Sequence, residues 1–226
     1  MRKVVLSLSG GMDSATLLGL LLSKGAEVHC VNFQYGSKHN SYESQAYSKI
    51  IHYYFGLTSN HIYSYGFDLR QVFQSFNSTL LKSGGDIPEG HYEAESMKLT
   101  VVPGRNLIFS SIMTGLAQSI GASEIALGVH AGDHHIYPDC RDTFINAMML
   151  AVSYATEGKV GVYTPFLKMN KKDILELGYS LSPEVPYHLT RTCYKDQILA
   201  CGKCGACQER LEAFKLIGKG DPIQYE

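Results

Sequence analysis

The chain has no tryptophan and no apolar run approaching the length of a membrane-spanning helix, which argues against a transmembrane protein. Lys and Arg total 20 against 21 Asp and Glu, a formal net charge of −1. That balance provides no basic stripe of the kind that grips duplex nucleic acid, so no direct nucleic-acid partner is expected. The opening "MRKVVLSLSGG" has too short an apolar core for a secretory leader, and a cytoplasmic location without membrane association is the expectation. Internal repeats and low-complexity tracts are also missing. Two familiar phosphate-binding spellings, G-x-x-x-x-G-K-[ST] and G-x-G-x-x-G, do not occur after the first apolar run, which removes the usual P-loop and the dinucleotide fingerprint.

What is present is ordinary globular composition, 45% hydrophobic and 18% charged, in 226 residues, enough for one full domain and a small appendage. Apolar runs at 3–8, 27–33, 61–67, 123–130 and 159–166 alternate with helical patterns at 14–24, 40–55, 70–82, 105–122 and 142–158. Continuous apolar strands alternating with helices predict an α/β fold with a doubly wound, five-stranded parallel sheet over residues 1–177. Residues 178–226 show no strand pattern and form the expected C-terminal segment. The loops 9–14, 34–39 and 130–141 each follow a strand, so all should reach the carboxyl edge of the sheet, where such folds bind ligands. The Gly-rich stretch 83–104 is long for a connection and is a lid or binding-loop candidate.

The first loop is the most informative. Leu8, Ser9, Gly10, Gly11, Met12, Asp13, Ser14, Ala15 and Thr16 run from a buried strand through two glycines into a helix. Glycines let the backbone approach a ligand, and the helix start offers unpaired N–H groups and the positive end of its dipole. An anion would sit well there. Asp13 would repel a phosphate unless a cation intervened, so it either caps the helix or helps hold a magnesium-bound nucleotide. Near the other end, Cys193, Cys201, Cys204 and Cys207 crowd together, with Gly202 and Gly205 permitting tight turns. Four thiolates suit a closed, structural Zn2+ site, one per chain. The rival iron–sulfur reading needs a further cysteine where Leu211 stands. Of the remaining loops, one carries Tyr35, Lys38 and His39, another Arg105 and Asn106, and a third Asp133, His134, His135, Tyr137, Asp139, Cys140 and Arg141. Each has an unremarkable reading alone, as a cap, a surface charge or a buried thiol. Their shared placement on one sheet edge raises their interest.

"SGGMDS" resembles the S-G-G-x-D-S loop of the PP-loop, or N-type, ATP pyrophosphatases, whose fold is that of the adenine nucleotide alpha hydrolases. With "VNFQYGSKH", "VPGRN", "YPDCR", "TPF" and the terminal cysteines in this order, the whole chain resembles the QueC family. It differs in reading "YGSKH" where "YGQRH" is usual, and "LTRTCY" where "LTWSCY" or "LTLTCY" is commoner. The resemblance implies an ATP- and Mg2+-dependent ligase that converts 7-carboxy-7-deazaguanine and ammonia to the nitrile through an acyl-adenylate and an amide, releasing AMP and pyrophosphate. It implies that residues 8–16 with Arg105 and Asn106 hold ATP, with Asp13, Ser14, Arg105 and Lys38 catalytic. Tyr35, His39, Asp133, Tyr137, Asp139 and Arg141 are the substrate-binding candidates, and a homodimer is implied. The alternatives are a paralogue coupling the deazaguanine carboxylate to another amine, a tRNA-modifying thiolase of the same superfamily, and a zinc-containing binding module with a vestigial loop.

Overall fold

A computed structural model describes residues 1–58 and 61–226. Its elements in chain order are β1 (Lys3–Ser7), α1 (Met12–Ser23), β2 (Glu27–Gln34), α2 (Asn40–Thr58), β3 (Ile62–Asp68), α3 (Arg70–Phe73), α4 (Arg105–Ile120), β4 (Glu124–Ala126), α5 (Asp142–Ala155), β5 (Gly161–Tyr163), α6 (Lys171–Ser180) and α7 (Gly205–Leu216), with short 3₁₀ turns between. The five strands form one sheet in the order β3-β2-β1-β4-β5, every pairing parallel. This is the doubly wound α/β architecture expected.

Successive strand residues point to opposite faces, and both faces are buried, which is why the strands read as continuous apolar runs. Val4, Leu6, Val28 and Cys30 pack with α1, α2, α6 and α7 through Leu17, Leu18, Ile50, Tyr54, Ile174 and Phe214. Val5, Val31, Phe33 and Ile125 pack on the other side with Phe109 and Met113 of α4 and Ile145 and Met148 of α5. Residues of 178–226 thus share a core with the sheet: Val185, Tyr187, Ala213 and Phe214 belong to the first cluster.

Several elements are shorter than the apolar pattern predicts, β5 among them at Gly161–Tyr163 against 159–166. The stretch 70–82 is helical only at Arg70–Phe73. Its second half instead bonds to the loop after β2: Lys38 N–H donates to Leu80 O (2.8 Å) and Lys82 N–H to Gly36 O (3.0 Å), burying Leu80 and Leu81. β4 ends at Ala126 rather than near 130. The chain there leaves the ladder to cross the first loop, so closely that a Cβ on Gly128 would lie 3.4 Å from the backbone of Asp13 and Ser14. Since β1 leads to α1 on one face and β4 to α5 on the other, this is the switch point where ligands bind in such sheets.

Candidate functional site

A cleft opens at that switch point, lined among others by Leu8, Ser9, Gly11, Asp13, Ser14, Tyr35, His39, Arg105, Asn106, Asp133 and Tyr137. The topology therefore brings together most of the residues singled out from sequence, from four different loops.

The glycine loop organises itself. Gly11 N–H donates to Ser9 Oγ (3.2 Å), Ser14 Oγ donates to Gly11 O (3.1 Å), and the two serine hydroxyls lie 3.2 Å apart. Gly10 has φ +92°, and a Cβ there would come within 2.7 Å of Glu43 O and 2.9 Å of Tyr47 N. Only glycine fits, because the loop rests directly on α2. No side chain caps α1, whose first N–H groups are thus left to whatever enters the cleft. Met12, Ala15 and Thr16 face the core instead, and the Thr16 hydroxyl, bonded to Met12 O (2.8 Å), lies 2.8 Å from Tyr187 Oη.

Asp13 does not cap the helix. Its Oδ2 lies 3.3 Å from Lys171 Nζ and 3.9 Å from His130 Nε2, while its Oδ1 is buried with no hydrogen-bond partner. Asp133 stands across from it, accepting from Tyr92 Oη (2.8 Å), with its Oδ1 3.6 Å from His130 Nε2. Burial pushes the Asp133 carboxyl up, but His130 and Lys171 outweigh it and hold the group below the ordinary carboxylate range. The buried, unpartnered carboxylate oxygen of Asp13 is a donor that fits a hard divalent cation such as Mg2+.

Helix α4 delivers Arg105 to the opposite wall. Its guanidinium carbon lies 6.0 Å from the Tyr35 ring centre and 5.9 Å from that of Tyr137. Burial opposes its charge, but Tyr35, Asp139 and Tyr137 outweigh burial, so it stays protonated. Asp139 serves this helix: Gly104, at the N-cap, has no side chain, and Asp139 Oδ2 accepts the Asn106 N–H (2.9 Å) in its place. Asn106 Nδ2 donates back to Asp139 O (3.1 Å) and lies 3.2 Å from Cys140 Sγ. Burial, then Asp133 and Asp139, push the Cys140 thiol well up, so it is no activated nucleophile.

Two candidates point elsewhere. Lys38 Nζ donates to Gly85 O (2.5 Å) and lines a separate surface hollow with Lys82, Glu89 and Lys195. Arg141 Nε donates to His134 O (2.9 Å) in a hollow with Asp142 and Lys168. Several cleft residues escaped the sequence reading, Tyr92, Lys171, Tyr194 and Glu209 among them. Tyr92 comes from the long segment 83–104, which packs onto the cysteine turns through Gly90 N–H to Lys203 O (3.0 Å). Lys171 follows the fifth strand, so the edge rule that selected the other loops would have found it. Its position is marked by a capping box between Asn170 and Asp173. Glu209 has no such signal.

The four sulfurs of Cys193, Cys201, Cys204 and Cys207 are buried and lie within 4.8 Å of one another. A tetrahedral zinc with bonds of about 2.3 Å separates its sulfurs by about 3.8 Å, so the donor set fits. Backbone N–H groups of Lys195 and Cys201 donate to Cys193 Sγ (3.4 and 3.3 Å), and those of Lys203 and Cys204 to Cys201 Sγ (3.4 and 3.3 Å), as suits thiolates. Arg191, just before the cluster, donates its N–H to Gly10 O (2.8 Å), and its guanidinium donates to the carbonyls of Lys195, Gln197 and Ile198 (2.8–3.0 Å). The cluster is thereby joined to the glycine loop. No helix among the described residues is long and apolar enough to cross a membrane.

The chain has close relatives among known proteins. The model of the family described as "Queuosine biosynthesis protein QueC" matches residues 3–218. The chain is 43% identical over 228 residues to the 7-cyano-7-deazaguanine synthase of Pseudoalteromonas atlantica, covering 100% of this chain and 99% of that one. It is 43% identical over 231 residues to that of Caldicellulosiruptor saccharolyticus (100% and 96% covered) and 42% over 229 residues to that of Methanoregula boonei (99% and 99%).

Proposed function

The chain belongs to the QueC family of queuosine biosynthesis proteins, and from that membership we propose that it converts 7-carboxy-7-deazaguanine and ammonia to 7-cyano-7-deazaguanine. The observation that carries the mechanism is the uncapped start of α1, opening with Asp13 and Arg105 onto one cleft.

A carboxylate is a poor electrophile at neutral pH. When its oxygen attacks the α-phosphorus of ATP, a C–O–P link forms, the bond to the β-phosphate breaks, and pyrophosphate leaves with the electron pair. Ammonia then displaces AMP and gives the amide. A second adenylation on the amide oxygen, followed by loss of AMP and protons, gives the nitrile. Ser9, Gly11 and Ser14 bind the departing pyrophosphate on the turn that Gly10 shapes, and the α1 N-terminus and its N–H groups stabilise its charge. Asp13 holds Mg2+, which when bound neutralises phosphate charge. Arg105 offsets negative charge at the phosphates or the substrate carboxylate. Tyr35 and Tyr137 flank the ring, and Asp133 accepts hydrogen bonds from its guanine-like N–H groups. Asp139 acts through the α4 cap, and Lys38 through the loop it ties to Gly85. The four cysteines hold a structural zinc that performs no chemistry. The enzyme works in the cytoplasm as a homodimer.

The test is incubation with ATP, ammonium and 7-carboxy-7-deazaguanine, followed by mass spectrometry. AMP and the nitrile are expected. AMP with a stalled acyl-adenylate or amide points to another amine as acceptor, and absence of AMP overturns the mechanism. Light scattering of the purified chain tests the dimer.

A further inference from the structure

The scheme above leaves two charged side chains beside Asp13 without a task. Lys171, at the first turn of α6, is only 8% exposed. Its ammonium is shared unequally, 3.3 Å from Asp13 Oδ2 and 2.7 Å from Glu209 Oε2. Glu209 itself is 14% exposed at the side chain and belongs to α7, two residues past Cys207. The position of α7 is set from both sides. Cys204 and Cys207 lie at its start. Next to Glu209, the fully buried Arg210 donates to Asp221 (2.7 and 2.9 Å), Thr190 Oγ1 (2.7 Å), Thr192 Oγ1 (3.0 Å) and Tyr187 O (3.1 Å).

An ammonium and a divalent cation compete for the same carboxylate. If Lys171 were seated wholly on Asp13, little negative charge would remain there to attract a metal. Glu209 makes the shorter contact and draws the ammonium toward α7. Asp13, which lines the cleft, keeps Oδ1 buried and unpartnered. A lone buried ammonium would be costly, so without Glu209 it must close on the nearest remaining carboxylate, which is Asp13.

We propose that Glu209 is a positioning residue: it holds Lys171 off Asp13 so that Asp13 stays available to the divalent cation of ATP, and the cysteine cluster sets this arrangement by fixing the start of α7. The proposal rests on the reading of Asp13 as the cation-holding carboxylate.

The probe is Mn2+, with free ion counted by electron paramagnetic resonance in the presence of α,β-methylene-ATP on the zinc-loaded full chain. Glu209→Gln is expected to bind Mn2+ about ten- to a hundredfold more weakly, with zinc content and melting temperature unchanged. Adding Lys171→Met to Glu209→Gln removes the competing cation and should restore most of the affinity, a rescue that a merely structural role would not produce. Wild-type affinity in Glu209→Gln, failure of the double variant to recover, or loss of zinc from Glu209→Gln would each overturn the proposal. Asp13→Asn separates the two levels. If it binds Mn2+ normally, the underlying reading of Asp13 fails. If it does not bind while Glu209→Gln binds normally, only the present inference fails.

Discussion

The two adjacent glycines of the first loop should fail in opposite ways when a methyl group is added. Gly10→Ala puts a Cβ where φ is +92° and where Glu43 O and Tyr47 N lie 2.7 and 2.9 Å away. Both neighbours are backbone atoms of α2, which cannot rotate aside. The left-handed conformation costs about 1–2 kcal/mol and forcing the backbones apart about 1–3 more. For a domain of this size that lowers the melting temperature by roughly 5–15 °C. At Gly11 φ is −74°, and a Cβ would meet only Ser9 Oγ at 3.3 Å and Arg191 O at 3.7 Å. The entropic gain of Ala over Gly in the unfolded chain and its poorer N-capping offset each other to within about 1 kcal/mol. Gly11 lines the cleft, however, and Gly10 does not. Gly11→Ala should therefore melt like the parent protein while AMP formation falls at least about tenfold, because the methyl crowds the N–H cradle. Differential scanning calorimetry and an AMP release assay on both variants decide the matter. A Gly10→Ala protein as stable as the parent, or a Gly11→Ala protein with full activity, would refute the reasoning.

Three further outcomes follow from the structure. Cys204→Ser should release about one zinc per chain and lower the melting temperature before any change in chemistry, as metal analysis and calorimetry would show; a brown preparation absorbing in the visible would instead mean an iron–sulfur cluster. Cys140, its thiol pushed well up by burial and by Asp133 and Asp139, should resist iodoacetamide at pH 8 in the folded protein and react once unfolded, as peptide masses will report. Asp133 has a folded pKa below its ordinary value, so its ionised form stabilises the fold above the unfolded carboxylate pKa of about 4, and that contribution fades as pH falls through the lower folded value. The stability gap between the parent protein and Asp133→Asn, measured by urea unfolding, should shrink steadily as the pH is taken from 5 to about 3.

What could be read in the sequence was what is local in it. The glycine loop and the four cysteines within residues 193–207 carry their chemistry in consecutive residues, and continuous apolar runs predicted a sheet covered on both faces. The edge rule then placed Tyr35, Arg105, Asp133 and Tyr137 together, because strand order decides which loops meet. Three things were not legible. The stretch 70–82 reads as a helix, but its apolar Leu80 and Leu81 are buried by bridging to the loop after β2, a tertiary choice that overrides the local pattern. Lys38 and Arg141 sit in the right loops, yet their long side chains turn to the carbonyls of Gly85 and His134 outside the cleft. Glu209 is a single acid on a helix of mixed composition, and its burial beside Lys171 depends on how the cysteine cluster and the Arg210–Asp221 pair seat that helix.

The cap of α4 bears on the order in which the molecule assembles. Gly104 cannot close its own helix, and the carboxylate that does so arrives 33 positions after Asn106, whose N–H it accepts. The first turn of α4, with Arg105 and Asn106, therefore acquires its hydrogen-bond partner only once the loop after β4 has folded back onto it. Contacts that span long separations form late, once the entropy of closing the intervening loop has been met. The wall of the cleft that carries Arg105 thus depends on the loop that carries Asp139, so the two walls order together rather than separately.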